Sequence, residues 1–207
     1  MKIAIVDYGV GNTQSISNAF ERLGVKSINV LKKKDELTKM DGLILPGVGA
    51  FGACSAKLKE NGLSDILNEL VIAKKKPILG ICVGMQLMAE SSEENGYHEG
   101  LAWIPGKVSM IKKKINLPIP HVGWNNIDIK KPDAIFSETI NNTHFYFDHS
   151  YQFLCEKKYV AATCKYGENL NVAIRYKNIF GVQFHPEKSS LAGLRLYRNF
   201  LNYISKC

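Results

Sequence analysis

Residues 77–90 read PILGICVGMQLMAE, an apolar run that meets a cysteine between two glycines and then continues with helical spacing. A short continuous apolar run is typical of a strand covered on both faces. The sequence therefore predicts a strand at residues 77–81, a sharp turn at Cys82 and a helix at residues 83–90. Such strand–turn–helix units build parallel sheets with helices on both sides.

The stretches before this unit follow the same pattern. Apolar runs predict strands at residues 2–6, 27–31 and 43–45, and helical spacing predicts helices at residues 13–23, 52–60 and 63–74. Strands and helices that alternate in this way imply a parallel sheet with right-handed crossovers.

The second half of the chain has a different pattern. Strand-like segments occur at residues 120–128, 144–147, 159–164, 170–176 and 179–184, with a hairpin turn expected at Lys177-Asn178, and residues 190–204 have helical spacing. We therefore expect an α/β fold, in which a mostly parallel, helix-covered sheet carries an antiparallel β extension. We expect residues 1–207 to form a single domain.

Composition narrows the function classes. The five cysteines include no Cys-x-x-Cys pair and no close Cys/His cluster, which argues against zinc and against a disulfide framework. No run approaches the roughly 20 apolar residues of a membrane span. The formal net charge is +8, but the lysines lie in short separate runs without interleaved aromatic residues. We predict a cytoplasmic protein that binds no nucleic acid, membrane or metal, although a basic docking face for an acidic partner stays open.

Cys82 is the candidate nucleophile. Gly80 and Gly84 flank it, as in a nucleophile elbow with sulfur in place of a hydroxyl. The helix that follows directs free N–H groups at the sulfur, which favours the thiolate and makes Val83 N–H a natural oxyanion donor. The pentapeptide alone fits equally well a small buried cysteine between tightly packed glycines.

A second stretch, GVQFHPE at residues 181–187, supplies a base. The residue before a proline favours extended backbone, so His185 and Glu187 would point the same way from the carboxyl end of a strand. Parallel strands end at one edge of a sheet, where Cys82 also lies. His185 would then move the proton and Glu187 would fix its tautomer. The alternative is a surface His and Glu that end an edge strand.

Three motifs together resemble class I glutamine amidotransferases, and most closely the glutaminase subunits of imidazole glycerol phosphate synthases. They are Gly80-Ile81-Cys82-Val83-Gly84-Met85-Gln86, Pro46-Gly47-Val48-Gly49 and Gln183-Phe184-His185-Pro186-Glu187-Lys188-Ser189, supported by Asp7-Tyr8-Gly9-Val10-Gly11-Asn12, Pro120-His121-Val122-Gly123-Trp124-Asn125 and His149-Ser150-Tyr151.

The resemblance implies glutamine hydrolysis without a cofactor. Cys82 attacks the side-chain carboxamide, His185 protonates the departing ammonia and Glu187 orients His185. The remaining residues follow from the family's pattern. Gln86 and Glu94 bind the substrate glutamine, Gly49, Ser150 and Tyr151 contact it through the backbone, and Val83 with the loop around Val48 and Gly49 forms the oxyanion hole. That loop is expected to reorient when the partner binds its own ligand.

The implied partner is a separate (βα)8-barrel cyclase subunit that receives the ammonia. Asn12, Trp124 and Lys188 match positions at that interface, although Trp124 would also suit the core and Lys188 a helix start. Val83, Val122 and Asp148 depart from the usual pattern. Asp148 leaves the acceptor open, so a sugar amidotransferase is the alternative partner. A γ-glutamyl peptidase and a non-enzymatic basic binding module are further alternatives.

Overall fold

The computed structural model describes residues 1–112 and 117–207. Its strands, in chain order, are β1 (Ile3–Val6), β2 (Ile28–Leu31), β3 (Gly42–Leu45), β4 (Ile78–Ile81), β5 (Ser91–Ser92), β6 (His98–Glu99), β7 (Gly106–Met110), β8 (His121–Asn126), β9 (Asp128–Ile129), β10 (His144–His149), β11 (Tyr151–Cys155), β12 (Val160–Tyr166), β13 (Glu168–Tyr176) and β14 (Ile179–Val182).

The helices lie mainly in the first half and at the end of the chain. They are α1 (Thr13–Arg22), α2 (Lys34–Leu37), α3 (Phe51–Glu60), α4 (Leu63–Asn68), α5 (Val83–Gln86) and α6 (Ser190–Ile204). A π-helical turn (Glu69–Ala73) continues α4, and 3-10 turns occur at Ala134–Phe136, Lys157–Tyr159 and Pro186–Lys188. Among the helices of residues 1–112 and 117–207, none combines the length and the hydrophobicity of a membrane span.

The main sheet contains eight strands within the described residues, in the order β2-β1-β3-β4-β14-β13-β12-β9. Its first five strands pair in parallel and the last three in antiparallel fashion. The four strands β1, β3, β4 and β14 are buried along their whole length, because helices cover both faces of a parallel sheet. The predicted α/β fold with an antiparallel extension is confirmed.

Strands β3, β4 and β14 are neighbours in this sheet and run in the same direction. Their carboxyl ends therefore meet at one edge. Residues 46–49 follow β3, Cys82 follows β4 and residues 183–187 follow β14. The three segments in which the sequence predicts functional groups thus leave the sheet side by side.

The predicted helix at residues 83–90 is wrong in length, since α5 ends at Gln86. The carbonyl oxygens of residues 87–90 accept hydrogen bonds from the backbone N–H groups of residues 100–103, at 2.7 to 3.0 Å. These pairings replace the bonds that would extend the helix. They attach the segment 91–110 to the end of α5. This segment forms the short strands β5, β6 and β7, which were not predicted from the sequence.

The strand predicted at residues 120–128 is also wrong as a single element. It divides into β8, which pairs with β10 in a two-stranded sheet, and β9, which pairs with β12 at the edge of the main sheet. Ile127 lies between them and is fully buried. The chain changes sheets at this residue because its side chain enters the core while Ile127 N–H donates to Thr143 O at 3.1 Å.

Candidate active site

Cys82 lies at the turn between β4 and α5 with a backbone φ of +54°. Non-glycine residues adopt such angles rarely, and strained residues of this kind cluster at functional sites. Its N–H donates to Val182 O at 2.8 Å, which ties the turn to the neighbouring strand. A β-carbon on Gly84 would lie 1.9 Å from Leu45 O, and one on Gly80 would lie 2.6 Å from Gly84 O. Glycine is required on both sides because the backbones pack directly on each other.

The loop at residues 46–49 packs against this turn. A β-carbon on Gly47 would lie 2.6 Å from Gly84 N, so the loop and the start of α5 are in direct contact. The Tyr8 hydroxyl donates to Pro46 O at 2.6 Å, and Cys54 Sγ donates to Val48 O at 3.4 Å. The first N–H groups of a helix have no partner inside it, so Val83 N–H is available beside this loop.

His185 and Glu187 form a buried pair. His185 Nδ1 lies 2.8 Å from Glu187 Oε1, and the two side chains are 6% and 1% exposed. The extended path predicted through Glu187 is wrong, because residues 186–188 form a 3-10 turn that folds Glu187 back behind the ring. Tyr197 of α6 donates its hydroxyl to Glu187 Oε2 at 3.4 Å. The pair forms, but through a turn instead of an extended strand.

The electrostatics of His185 link it to Cys82. Burial alone would lower the pKa of this imidazole, but the hydrogen bonds and negative charges of Cys82 and Glu187 outweigh it and raise the pKa to about 10. At neutral pH the imidazole of His185 is therefore held in its protonated form beside the Cys82 sulfur and the Glu187 carboxyl group. This arrangement provides a nucleophile and a proton donor in contact with each other.

Burial affects the other cysteines inside the fold, of which Cys54 and Cys164 are buried and Cys155 is half-buried. Burial raises the pKa of Cys164 to about 12 and that of Cys155 to about 11. Burial also raises the pKa of Cys54. Because the thiolate is the reactive form, these three thiols are poor nucleophiles at neutral pH.

The candidate residues meet around a cavity of about 310 Å³ at the sheet edge. Its lining consists of Val48, Gly49, Cys82, Val83, Gln86, Glu94, Pro120, Asp148, His149, Ser150, Tyr151, His185 and Lys188. The size and the convergent polar groups are those of a small-molecule site. Glu187 is not part of the wall, because it lies behind His185. Within the described residues, no group of three or more His, Cys, Asp or Glu side chains could hold a metal ion.

Gln86 is held by two acceptors on the cavity floor. Its Nε2 donates to Tyr151 O at 3.2 Å and to Gln183 Oε1 at 3.0 Å. Gln183, which is fully buried, in turn donates from Nε2 to Cys82 Sγ at 3.7 Å. Sequence analysis assigned no role to Gln183, because the spacing of the residues does not reveal that it contacts the sulfur.

Glu94 connects the cavity to helix α3. Its Oε2 accepts the N–H of Phe51, the first residue of α3, at 2.6 Å. A carboxylate is stabilised at a helix N-terminus by the free N–H groups and the helix dipole. Since α3 directly follows the loop at residues 46–49, Glu94 also fixes the end of that loop.

The predicted interface residues lie on the outside. Trp124 is 53% exposed, so it does not belong to the core. It contacts the Tyr146 ring edge-on at 6.2 Å, and Lys188 Nζ lies 5.3 Å from the centre of the same ring. Asn12 caps α1, where its Oδ1 accepts Ser15 N–H at 3.3 Å.

Two of the three residues that depart from the family's pattern, Val122 and Asp148, lie directly opposite each other in the β8–β10 pair. Both are exposed, and Asp148 also lines the cavity. Asp148, the residue that left the identity of the ammonia acceptor open, therefore lies where the cavity meets the outer face of the β8–β10 pair.

Comparison with known proteins gives a consistent result. The family model of class I glutamine amidotransferases matches residues 4–203. The imidazole glycerol phosphate synthase subunit HisH 2 of Vibrio vulnificus strain YJ016 is 46% identical over 204 residues, which cover 99% of this chain and 95% of that protein. The subunit HisH 1 of Campylobacter jejuni strain 81-176 is 43% identical over 198 residues, or 96% and 98% of the two chains.

A crystal structure of a glutamine amidotransferase superimposes with a TM-score of 0.75 at 21% identity, covering 98% of each chain. At this level of identity the likeness concerns the fold alone.

Proposed function

Because the chain belongs to the class I glutamine amidotransferase family, we propose that it hydrolyses glutamine to glutamate and ammonia as the glutaminase subunit of an imidazole glycerol phosphate synthase in histidine biosynthesis. The observation that carries the chemistry is the Cys82–His185–Glu187 arrangement at a cavity of about 310 Å³. The names of the relatives carry the pathway, and they do not favour the sugar amidotransferase as acceptor.

In the proposed reaction, the Cys82 thiolate attacks the carboxamide carbon of glutamine. The carbonyl oxygen becomes an oxyanion held by Val83 N–H and the loop at Val48 and Gly49. His185 gives its proton to the nitrogen as the carbon–nitrogen bond breaks, and ammonia leaves. His185, now neutral, takes a proton from water, which attacks the γ-glutamyl thioester and releases glutamate. Glu187 keeps the Nδ1 proton of His185 in place throughout.

Glutamine recognition is assigned to the cavity wall. We infer that Glu94 binds the α-ammonium group through the oxygen that does not cap α3. Gln86 has both amide hydrogens close to protein acceptors, so we assign its Oε1 to the substrate. Ser150 and Tyr151 contribute backbone groups. These roles are supported by the position of each residue in the wall of the cavity.

The Val48 peptide is the proposed site of control. Its carbonyl oxygen accepts the Cys54 thiol at 3.4 Å, and Val48 is 40% exposed. A rotation of the peptide between Val48 and Gly49 that breaks this weak hydrogen bond would direct the Gly49 N–H at the oxyanion. Such a step, triggered by a ligand-loaded partner, would prevent the isolated chain from releasing ammonia unproductively.

We place the partner, a separate (βα)8-barrel cyclase subunit, on the face that carries Trp124, Tyr146 and Lys188, with Asn12 at its border. The heterodimer would then pass ammonia from the cavity into the barrel, where the lyase half of the reaction takes place. An exposed indole that packs against a tyrosine ring, here Trp124 on Tyr146, is typical of an interface anchor, and Lys188 lies over the same tyrosine ring. The cytoplasmic location and the single domain stay predictions.

The test is a glutaminase assay of the purified chain alone and with the cyclase encoded in the same genome. We expect slow hydrolysis alone, strong stimulation by the partner with its ligand, and no hydrolysis in Cys82→Ala. Recovery of a sugar-amidating enzyme instead of a cyclase in a pull-down would refute the acceptor. Rapid partner-independent turnover of γ-glutamyl peptides would favour the peptidase alternative.

A further inference from the structure

Two buried histidines beside the cavity have no part in the proposed chemistry. His149 precedes Ser150 and lines the cavity, and His121 lies opposite it in the β8–β10 pair. The side chains are buried, with 6% and 2% of the residue exposed, and His121 Nδ1 lies 3.0 Å from His149 Nε2. The two rings are thus in direct hydrogen-bond contact at the wall of the site.

The direction of this hydrogen bond follows from its two ends. His149 Nδ1 lies 2.8 Å from Tyr151 O, which only accepts, so His149 carries a proton on Nδ1. At the other end, Asn125 Oδ1 accepts Asn126 N–H at 2.8 Å, which directs Asn125 Nδ2 at His121 Nε2 at 3.2 Å. His121 Nε2 therefore accepts, and His121 Nδ1–H donates to His149 Nε2.

Both rings are consequently neutral and carry their proton on Nδ1. A second proton on either ring would place two N–H groups face to face or aim one at the Asn125 amide hydrogens. The surroundings agree with this, since His121 stacks on Phe147 and Tyr166 with ring centres at 4.7 and 4.0 Å. Burial lowers the pKa of His149 to about 3 and that of His121 to about 4.

The chain of hydrogen bonds continues from the histidines into the active site. Tyr151 O accepts from His149 and from Gln86 Nε2, and Gln86 is linked through Gln183 to Cys82 Sγ. The carbonyl of Tyr151 is therefore fixed from two sides. The backbone of Tyr151 is also one of the groups that the proposed function assigns to glutamine binding.

We propose that His121 and His149 are positioning residues, whose neutral and directional pair holds the Tyr151 carbonyl against Gln86 and so sets the position of glutamine relative to Cys82. The inference deepens the proposed function and rests on it. Without His121, the Nε2 atom of His149 would be a buried hydrogen-bond acceptor with no donor. The Nδ1–H group of His121 supplies that donor.

The test compares the rates at which two reagents alkylate Cys82 in the full-length chain. A chloroketone analogue of glutamine must occupy the glutamine position before it reacts, whereas iodoacetamide needs only the sulfur. His121→Phe keeps a ring to stack on Phe147 and Tyr166 but has no nitrogen. His121→Asn retains an N–H donor where Nδ1 stands. Tyr166→Phe is the matched control, because it removes only the hydroxyl, which donates to Pro118 O, and keeps both the ring that stacks on His121 and the chain of hydrogen bonds from His121 to Gln86.

We expect His121→Phe to slow the alkylation of Cys82 by the chloroketone at least tenfold, and the alkylation by iodoacetamide less than twofold. His121→Asn should restore the chloroketone rate to within threefold of the unsubstituted protein, and Tyr166→Phe should leave both rates unchanged. An unchanged chloroketone rate in His121→Phe, equal slowing of both reagents, or equal losses in His121→Phe and His121→Asn would each overturn the proposal.

Nitrogen-15 NMR of the unsubstituted chain provides a second readout if His121→Phe does not fold. Signals of Nδ1-protonated neutral rings for both histidines at pH 7 support the proposal, and an Nε2-protonated or doubly protonated ring overturns it. Failure of the proposed function is distinguishable from this, because the chloroketone would then not label Cys82 even in the unsubstituted chain.

Discussion

Replacing Glu187 by Gln tests the part of the triad that lies outside the cavity. The change is nearly isosteric, and the side chain is 1% exposed, so the packing around Tyr197 and His185 should survive. The carboxylate oxygen at 2.8 Å from His185 Nδ1 becomes half of an amide. If Tyr197 keeps donating to the amide oxygen, the NH₂ group faces Nδ1 and forces the ring proton onto Nε2, opposite the sulfur. His185 can then no longer accept a proton there.

The magnitude follows from the hydrogen bond and the tautomer. A hydrogen bond to a charged group contributes about 1.5–3 kcal/mol, which is roughly 10- to 150-fold in rate. A reversed tautomer in a comparable triad reduces kcat by roughly 10⁴-fold. We therefore expect kcat for glutamine hydrolysis to fall between about 10²- and 10⁴-fold, with KM nearly unchanged because residue 187 does not line the cavity.

The assay is steady-state ammonia release with the partner present, and Glu69→Gln is the control. Glu69 loses the same charge, but it pairs with Lys34 and Lys74 on the surface, so kcat should stay within twofold. The Glu187 carboxylate raises the pKa of His185, so its loss should also move the alkaline limb of the kcat profile to lower pH. A kcat within threefold of the unsubstituted enzyme would refute the role of Glu187.

Three further changes test the packing of the site and the electrostatics of the fold. Gly84→Ala places a β-carbon 1.9 Å from Leu45 O, and a displacement of the loop by about 1 Å should reduce kcat/KM roughly 100-fold; normal kinetics would contradict the contact. Asn178→Ala removes two hydrogen bonds of 2.9 Å to Val71 O and Lys76 O. Urea unfolding should show a loss of about 1–3 kcal/mol with unchanged activity, and an unchanged midpoint would argue against these bonds. The pKa of His149 is lowered to about 3 by burial, so the unfolded chain takes up a proton below about pH 6.5 that the folded chain does not. This histidine should therefore lower the free energy of unfolding by about 1.5 kcal/mol between pH 6.5 and pH 5. In a His149→Asn variant, the decrease in the free energy of unfolding over the same interval should be smaller by that amount. An equal decrease in both proteins would contradict a neutral His149.

Much of the parallel core could be predicted from the sequence, because its signal is local. The runs at residues 3–6, 43–45 and 78–81 are short, continuous and without polar side chains, as is typical of strands covered on both faces. The order of the motifs along these strands then placed Cys82 and His185 at one sheet edge. The glycines at 80 and 84 have backbone contacts that explain why the turn requires them.

The segment 87–110 could not be predicted in the same way. Residues 87–90 continue the helical spacing of α5, and the helix ends there because the distant N–H groups of residues 100–103 bind their carbonyl oxygens. The same limit applies to the His121–His149 pair. Each histidine lies in a strand whose burial depends on a partner strand, so their contact depends on the register of β8 and β10. Local patterns carry no information on such a register.

The central claim is that Cys82 forms a covalent bond with the substrate, and acid quenching during turnover tests it most directly. Mass mapping of the quenched protein should find a γ-glutamyl group on the peptide that contains Cys82. It should disappear from Cys82→Ala, while Cys54 and Cys164 stay unmodified throughout. Finding that group on another cysteine, or undiminished glutamine hydrolysis in Cys82→Ala, would contradict the account.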